Sequence, residues 1–176
     1  IDVLVNNAGY GSYGAIEDVP MDEARRQVEV NLFGLARMIQ LVVPGMRLRG
    51  GGTIVNVTSM GGKITTPFGG WYHASKFAVE GLSDALRVEV APFGIDVVVI
   101  EPGAIRTEWG GIAMDTARAA SGEGAYAERV RAMSTALDGP IAQRGADPDV
   151  VARAIERAVT AKRPRTRYAI GFQLAL

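Results

Sequence analysis

Three short apolar runs set the pattern: residues 1–7 (IDVLVNN), 52–59 (GTIVNVTS) and 95–101 (IDVVVIE) are rich in valine and isoleucine and do not alternate with polar positions. Continuous runs of this kind suit strands covered on both faces, as in a parallel sheet. Between them the apolar period lengthens to three and four. Ala24, Val28, Leu32, Leu35, Ile39 and Val42 predict a helix over 21–48, with Pro20 just before its first turn. Val79, Leu82, Leu86 and Val90 predict a second over 72–90, stopped by Pro92 and Gly94. Val151, Ile155 and Val159 predict a third over 148–162 with Asp147 as its N-cap, and residues 168–170 read as a last strand. Strands alternating with helices imply right-handed crossovers and a doubly wound, Rossmann-like α/β sheet, with residues 1–176 forming one domain.

Residues 104–145 break this rhythm. They hold Trp109, Met114, a Gly/Ser/Glu stretch at 121–124, and a short helical stripe of Tyr126, Val130, Met133 and Leu137. A long connection after a strand's C-terminal end is where α/β folds place binding segments, so 104–145 is read as a substrate-binding loop or lid.

Composition narrows the function more by exclusion than by suggestion. Hydrophobic residues make up 48% and charged ones 22%, as in ordinary globular domains. Nineteen basic residues balance nineteen acidic ones, which offers no electrostatic reason to expect nucleic acid or an anionic membrane. There is no cysteine and a single histidine, His73, so no metal site is expected. No apolar run nears the roughly 18 residues of a membrane span, and the expectation is a cytoplasmic protein. The chain opens on Ile1 inside an apolar run, and upstream strand–helix units are expected.

The chemistry centres on Tyr72-His-Ala-Ser-Lys76. Positions i and i+4 share a helix face, which brings phenol and ammonium together. A free tyrosine, with a pKa of about 10, is a poor acid or base at neutral pH, and a neighbouring cation lowers it. Ser59 closes the preceding strand at the sheet's C-terminal edge, where open α/β sheets bind ligands and a hydroxyl can orient a carbonyl. Asn6-Asn7-Ala8-Gly9 ends the first strand in the same way, and Pro102-Gly103-Ala104-Ile105-Arg106-Thr107 ends the third. Asn31 interrupts a long helix, where asparagine is disfavoured without a use; the plain alternative is a buried amide bonded to nearby backbone.

Asn6-Asn7-Ala8-Gly9, Asn31, Ser59, Tyr72-x-x-x-Lys76 and Pro102-Gly103-x-Ile105-x-Thr107, in this order and spacing, closely resemble the short-chain dehydrogenase/reductase family. The resemblance implies an oxidoreductase that moves a hydride between NAD or NADP and a secondary alcohol or carbonyl. It implies Tyr72 as general acid/base, Ser59 as the carbonyl-positioning hydroxyl, and Lys76 as the group that lowers the tyrosine pKa and holds the nicotinamide ribose. Asn31 would anchor a water linking Lys76 to solvent. Asn7, Ala8, Gly9, Pro102, Gly103, Ile105 and Thr107 would line the cofactor, together with Tyr72 and Lys76. A homodimer or homotetramer is implied as well, through a second stripe of the Tyr72 helix (Phe77, Gly81, Ala85, Val88) and the Asn31 helix.

The family's glycine-rich phosphate turn is missing. Gly9-Tyr10-Gly11-Ser12-Tyr13-Gly14 spells G-x-G-x-x-G, but it follows the Asn-Asn-Ala-Gly strand and is read as a decoy. Three strand–helix units of about 25 residues, roughly 75 in all, would precede this chain in the family. The residue that separates NAD from NADP would lie among them, so both cofactors stay open. The ending Arg167-Tyr168-Ala169-Ile170-Gly171 is more similar to the branch acting on steroids, retinoids and other lipophilic alcohols than to the acyl-carrier-protein reductases. Trp109, Met114, Tyr126 and Met133 would then form an apolar lid over the substrate. The competing expectations are a cofactor-sensing protein on the same fold and an inert fragment of an enzyme.

Overall fold

A computed structural model of the chain describes residues 1–137 and 145–171. Among them β1 (Val3–Asn6), β2 (Gly52–Val57), β3 (Ile95–Pro102) and β4 (Arg167–Ile170) form one parallel sheet in the order β1-β2-β3-β4. Leu4 pairs with Ile54 and Ile54 with Val97, so all strands end at one edge. The helices are α1 (Met21–Val28), α2 (Leu35–Arg49), α3 (Gly70–Val90), α4 (Trp109–Ser121), α5 (Ala127–Ala136) and α6 (Asp149–Thr160). The helix expected over 21–48 is continuous, but its middle turn, Glu29–Gly34, widens to π geometry around Asn31. Asp147 accepts the Asp149 N–H at 3.0 Å, as its expected capping role requires.

Strand side chains alternate between faces, and both faces are apolar because both are covered. Leu4, Ile54 and Val97 meet Leu35, Ile39, Val42 and Met46 of α2 and Val79, Leu86 and Val90 of α3. Val55, Val98 and Ile100 meet Ala154 and Ala158 of α6 on the other side. The sheet is therefore doubly wound. One expectation needs correcting: successive strands step in one direction, so the connection through α6 has the opposite hand to the two before it. The long excursion through α4 and α5 brings the chain round to the far face, a route that a short crossover does not have.

Polar side chains fix α3 on this scaffold. Asn6 Nδ2 donates to Asn56 Oδ1 at 2.9 Å, and Asn56 Nδ2 donates to Ser83 Oγ at 2.9 Å, all buried. Each such group left unpaired would cost about 1–3 kcal/mol, so this ladder specifies where the helix sits. One turn beyond Lys76, buried Glu80 accepts Thr58 Oγ1 at 2.6 Å, Lys63 Nζ at 2.8 Å and Arg167 Nε at 3.2 Å. Arg167 also meets both oxygens of Asp84 at 2.7 Å and Glu101 at 3.1 Å, tying β4 to α3.

The helical stretch Met21–Arg49 is long and apolar enough by composition to cross a membrane, which qualifies the sequence expectation on apolar runs. It is apolar on two faces. Leu35, Ile39, Val42 and Met46 cover the sheet, while Val30, Phe33, Met38 and Leu41 are exposed.

Candidate active site

Ser59, Tyr72 and Lys76 converge at the C-terminal edge of the sheet, between the end of β2 and the first turns of α3. Ser59 caps the tight turn Met60–Gly62: its Oγ accepts the Gly61 N–H at 3.0 Å and lies 3.5 Å from the Pro102 carbonyl. The Ser59 hydroxyl also lies close enough to the Tyr72 phenol to favour its ionised form. Gly61 lets the turn lie directly on the helix, since a Cβ there would sit 3.0 Å from Tyr72 Cε1 and 3.0 Å from His73 Nδ1. Turn and helix have to be that close for the two hydroxyls to meet.

Electrostatics at this spot differ from the expectation. Lys76 Nζ lies 5.8 Å from the Tyr72 ring centroid, yet burial pushes the phenol above its ordinary value of 10, and the neighbouring Ser59 hydroxyl offsets this only partly. Desolvation outweighs the cation, so Tyr72 holds its proton at neutral pH. Lys76 is itself buried and pushed down to about 8, with the Glu80 carboxylate opposing that shift. Among the described residues its ammonium donates only to the Val57 carbonyl, at 3.1 Å.

Asn31 proves to be a backbone clamp. Its Nδ2 donates to Tyr10 O at 2.9 Å and to Ser75 Oγ at 3.1 Å, while Oδ1 accepts the Tyr10 N–H at 3.0 Å. Both amide protons are thus committed, so the side chain pins the loop after β1. Gly9 lies over this pair, where a Cβ would come 3.0 Å from Asn31 Oδ1 and 3.7 Å from Lys76 Nζ. Asn7, Ala8 and Gly9 are exposed at the sheet edge, and Pro102, Gly103 and Ile105 are half-buried beside them. Thr107 is exposed and accepts the Trp109 N–H at 3.3 Å, at the start of α4. An open edge, a glycine beneath it and a buried ammonium with two unused protons fit a dinucleotide's sugar and amide.

The expected lid residues gather on Tyr72. Trp109 lies 5.0 Å from the Tyr72 ring and 5.7 Å from that of Tyr13, edge-on to the latter. Tyr126, Met133 and Leu137 pack on the same cluster around buried Val130, and residues 138–144 of the expected lid lie outside the described residues. Met114 packs into the same cluster as Tyr72, with no exposed surface. The G-x-G-x-x-G stretch is a packing device. A Cβ at Gly11 would meet Trp109 Cζ2 at 2.6 Å, and one at Gly14 would meet Ala120 Cβ at 2.8 Å. Thr116 and Ser121 of α4 accept the N–H groups of Tyr13 and Ala15 at 2.8 and 2.9 Å, closing the same seam.

Three site residues escaped the sequence reading. Tyr13, 5% exposed, lies 5.8 Å from the Tyr72 ring. His73 bridges Gly61 and Thr66. Glu80 anchors the turn that carries Lys76. Only Glu80 left a trace in the sequence, as an acid one helical turn from a lysine on a core-facing stripe.

Comparison with known proteins accords with this geometry. The family model described as short chain dehydrogenase matches residues 1–127. A probable short-chain type dehydrogenase/reductase of Helicobacter pylori is 35% identical over 99% of this chain and 64% of its own length. An NADPH-dependent 3-dehydrocapnine reductase of Ornithobacterium rhinotracheale is 37% identical over 97% of this chain and 61% of its own. The crystal structure of a short-chain dehydrogenase from Streptomyces avermitilis superposes with a TM-score of 0.79 at 37% identity, covering 97% of this chain and 61% of that one. An NAD+-bound xylitol dehydrogenase does so with 0.77 at 27%, covering 97% and 68%. The chain thus spans about three fifths of the length of the curated relatives it matches. With a matching family model, matching relatives and the expected Rossmann-like sheet, the chain belongs to the short-chain dehydrogenase/reductase family of oxidoreductases, whose cofactors are NAD and NADP.

Proposed function

We propose that this chain carries the catalytic centre of an enzyme interconverting a ketone and a secondary alcohol, with Tyr72 as general acid/base. The observation that carries the reading is the buried Tyr72 phenol beside the Ser59 hydroxyl, one helical turn from a buried lysine at the ligand-binding edge of the sheet. A nicotinamide bound there supplies or accepts the hydride. Ser59 orients the substrate oxygen, and Tyr72 gives it a proton on reduction or takes one on oxidation. Because burial keeps Tyr72 protonated near neutrality, the resting site is prepared for reduction. Lys76 uses its free protons on the cofactor ribose. Asn31 serves by holding the loop of Gly9 and Tyr10 at the cofactor edge. A cofactor-sensing protein without chemistry would have no use for burying both a phenol and an ammonium, each of which costs stability.

The substrate is expected to be apolar around its carbonyl, since Trp109, Tyr126 and Met133 surround Tyr72. Trp109 covers the phenol ring, so entry requires α4 to lift. Residues 104–145 then act as the lid. Following the nicotinamide absorbance with ketones of increasing aliphatic length tests this. Each buried methylene contributes about 0.8 kcal/mol, so two or three added carbons should raise kcat/KM by about one to two orders of magnitude. Equal efficiency along the series would reduce the lid to a surface feature.

Self-association is the second expectation. Phe33 and Phe77 are 56% and 44% exposed, and Met38, Leu41 and Val88 join them on the outer face of α2 and α3. An exposed apolar face of this extent suits a subunit contact between copies of the enzyme. A Phe33→Glu, Phe77→Glu double variant of the complete enzyme should sediment as a monomer at micromolar concentration where the wild type does not. A wild type already monomeric would sink the proposal.

A further inference from the structure

His73 is the only histidine in the chain, and it lies beside the proposed acid/base with 4% of its surface exposed. Its Nδ1 is 2.9 Å from the Gly61 carbonyl oxygen. Its Nε2 is 3.0 Å from the Thr66 backbone nitrogen and 3.0 Å from Thr66 Oγ1. A carbonyl can only accept and a peptide N–H can only donate. The proton therefore sits on Nδ1, and Nε2 keeps its lone pair for the Thr66 N–H. Both partners belong to the loop that follows β2, so one neutral ring ties both ends of that loop to α3. The Gly61 peptide is held from two sides: its carbonyl by His73, its N–H by Ser59 Oγ at 3.0 Å.

We propose that His73 is a positioning residue, whose bond to the Gly61 carbonyl holds the Ser59 turn against α3 and keeps the Ser59 hydroxyl on Tyr72. Protonating the ring breaks its bond to Thr66 and leaves the bond to Gly61 in place. The inference rests on the reading of Ser59 and Tyr72 given above. A catalytic part for the ring itself is unsuited to the geometry, since both nitrogens are engaged by the loop and none faces the substrate side.

The walls around the ring leave it little freedom. A Cβ at Gly69 would stand 2.7 Å from Nε2, and one at Gly61 would stand 3.0 Å from Nδ1. On protonation, Nε2–H would point at the Thr66 N–H, two donors facing each other, and no nearby rotamer could remove the conflict. Thr66 Oγ1 could still accept from the ring, so the Thr66 backbone is the group that must let go. The titratable groups against the ring are the phenols of Tyr72 and Tyr13, with ring centroids 5.7 and 6.3 Å away, both neutral near pH 7. No charged side chain drives its titration: burial pushes the imidazole below its usual 6.5, and the Gly61 carbonyl opposes this. A base whose pKa falls on folding is neutral in the folded protein above that lowered value. The Thr66 half of the clamp is therefore complete above about pH 6.5 and is lost as the pH falls through the folded pKa, while the Gly61 bond persists.

The test uses the complete enzyme in two ways. In the first, nitrogen-15 NMR of the imidazole, assigned by its loss in His73→Asn, should show the Nδ1–H tautomer and a midpoint below 6.5. In the second, kcat and KM for ketone reduction are followed against pH for the wild type, His73→Asn and His73→Gln. The asparagine amide superposes on Nδ1, can donate to Gly61 and does not titrate. Its kcat should stay within about 3-fold of wild type at every pH, since the Gly61 bond survives both the substitution and protonation of the ring. The glutamine amide reaches the Nε2 position and leaves Gly61 unpaired. A misplaced catalytic group costs up to about 100-fold, so kcat should drop roughly 10- to 100-fold with cofactor KM unchanged. An Nε2–H tautomer, a midpoint at or above 6.5, or equal kcat in both variants would overturn the proposal. Should a variant fail to fold, the wild-type tautomer and midpoint decide alone. Neither NMR result depends on turnover, so a failure of the oxidoreductase reading, detected with Tyr72→Phe, is distinguishable from a failure of this one.

Discussion

Replacing Tyr72 by phenylalanine in the complete enzyme is expected to lower kcat by about 10²–10⁴-fold, the usual contribution of a positioned acid or base. Cofactor affinity should stay within a few-fold, because the role proposed for the hydroxyl is toward the substrate oxygen rather than the dinucleotide. The ring is packed among Tyr13, Trp109 and His73, and phenylalanine preserves all of those contacts. Ser59 Oγ keeps its bond from Gly61, so the loss of the phenol leaves no orphaned partner and folding should survive. The measurement is turnover against cofactor binding, made separately on the same preparation. Turnover within a few-fold of wild type would mean that another group moves the proton and that the Tyr-x-x-x-Lys spacing is helical coincidence.

How far the sequence reveals this site depends on the range of the interaction concerned. Tyr72 and Lys76 are legible because helix periodicity alone puts them on one face, and Ser59 because an apolar run ends there. The doubly wound sheet follows from the same local signals. Periodicity puts Met114 on the lid segment but cannot give its burial, which only the packing against Ala113, Ala117 and Val130 shows. His73 was missed because its partners, Gly61 and Thr66, come from a loop with no repeating pattern. Tyr72's raised pKa could not be anticipated either. The motif shows the cation, while the desolvation that outweighs it arises from Tyr13, α4 and the β2 turn closing around the ring. The hand of the last crossover was misjudged for a related reason, since the rule describes compact strand–helix–strand units and α4 and α5 interrupt this one.

Exchanging Lys76 for methionine should move activity and stability in opposite directions. The ammonium is 7% exposed, pushed down to about 8 by burial, and held among the described residues only by the Val57 carbonyl at 3.1 Å. Between about 8 and the ordinary 10.5 the folded chain binds fewer protons than the unfolded one. Stability should therefore rise with pH across that window, and the full penalty of burying the charge is present below it. Methionine has a similar length and no charge, and Glu80 retains Thr58, Lys63 and Arg167 when the lysine is gone. Replacing a poorly compensated buried charge by an apolar isostere often stabilises by about 1–2 kcal/mol, or roughly 2–8 °C in Tm for a domain of this size. That gain should be seen at pH 7 and should shrink towards pH 10, where the wild-type lysine is neutral. Turnover should nevertheless fall at least about 100-fold, since the substitution removes a charge next to the acid/base and a donor to the cofactor ribose. Unlike Tyr72→Phe, it should also weaken cofactor binding, by about tenfold for one lost charge-assisted hydrogen bond. A lower Tm with unchanged kcat and cofactor affinity would identify Lys76 as a structural residue and would remove the lysine from the mechanism.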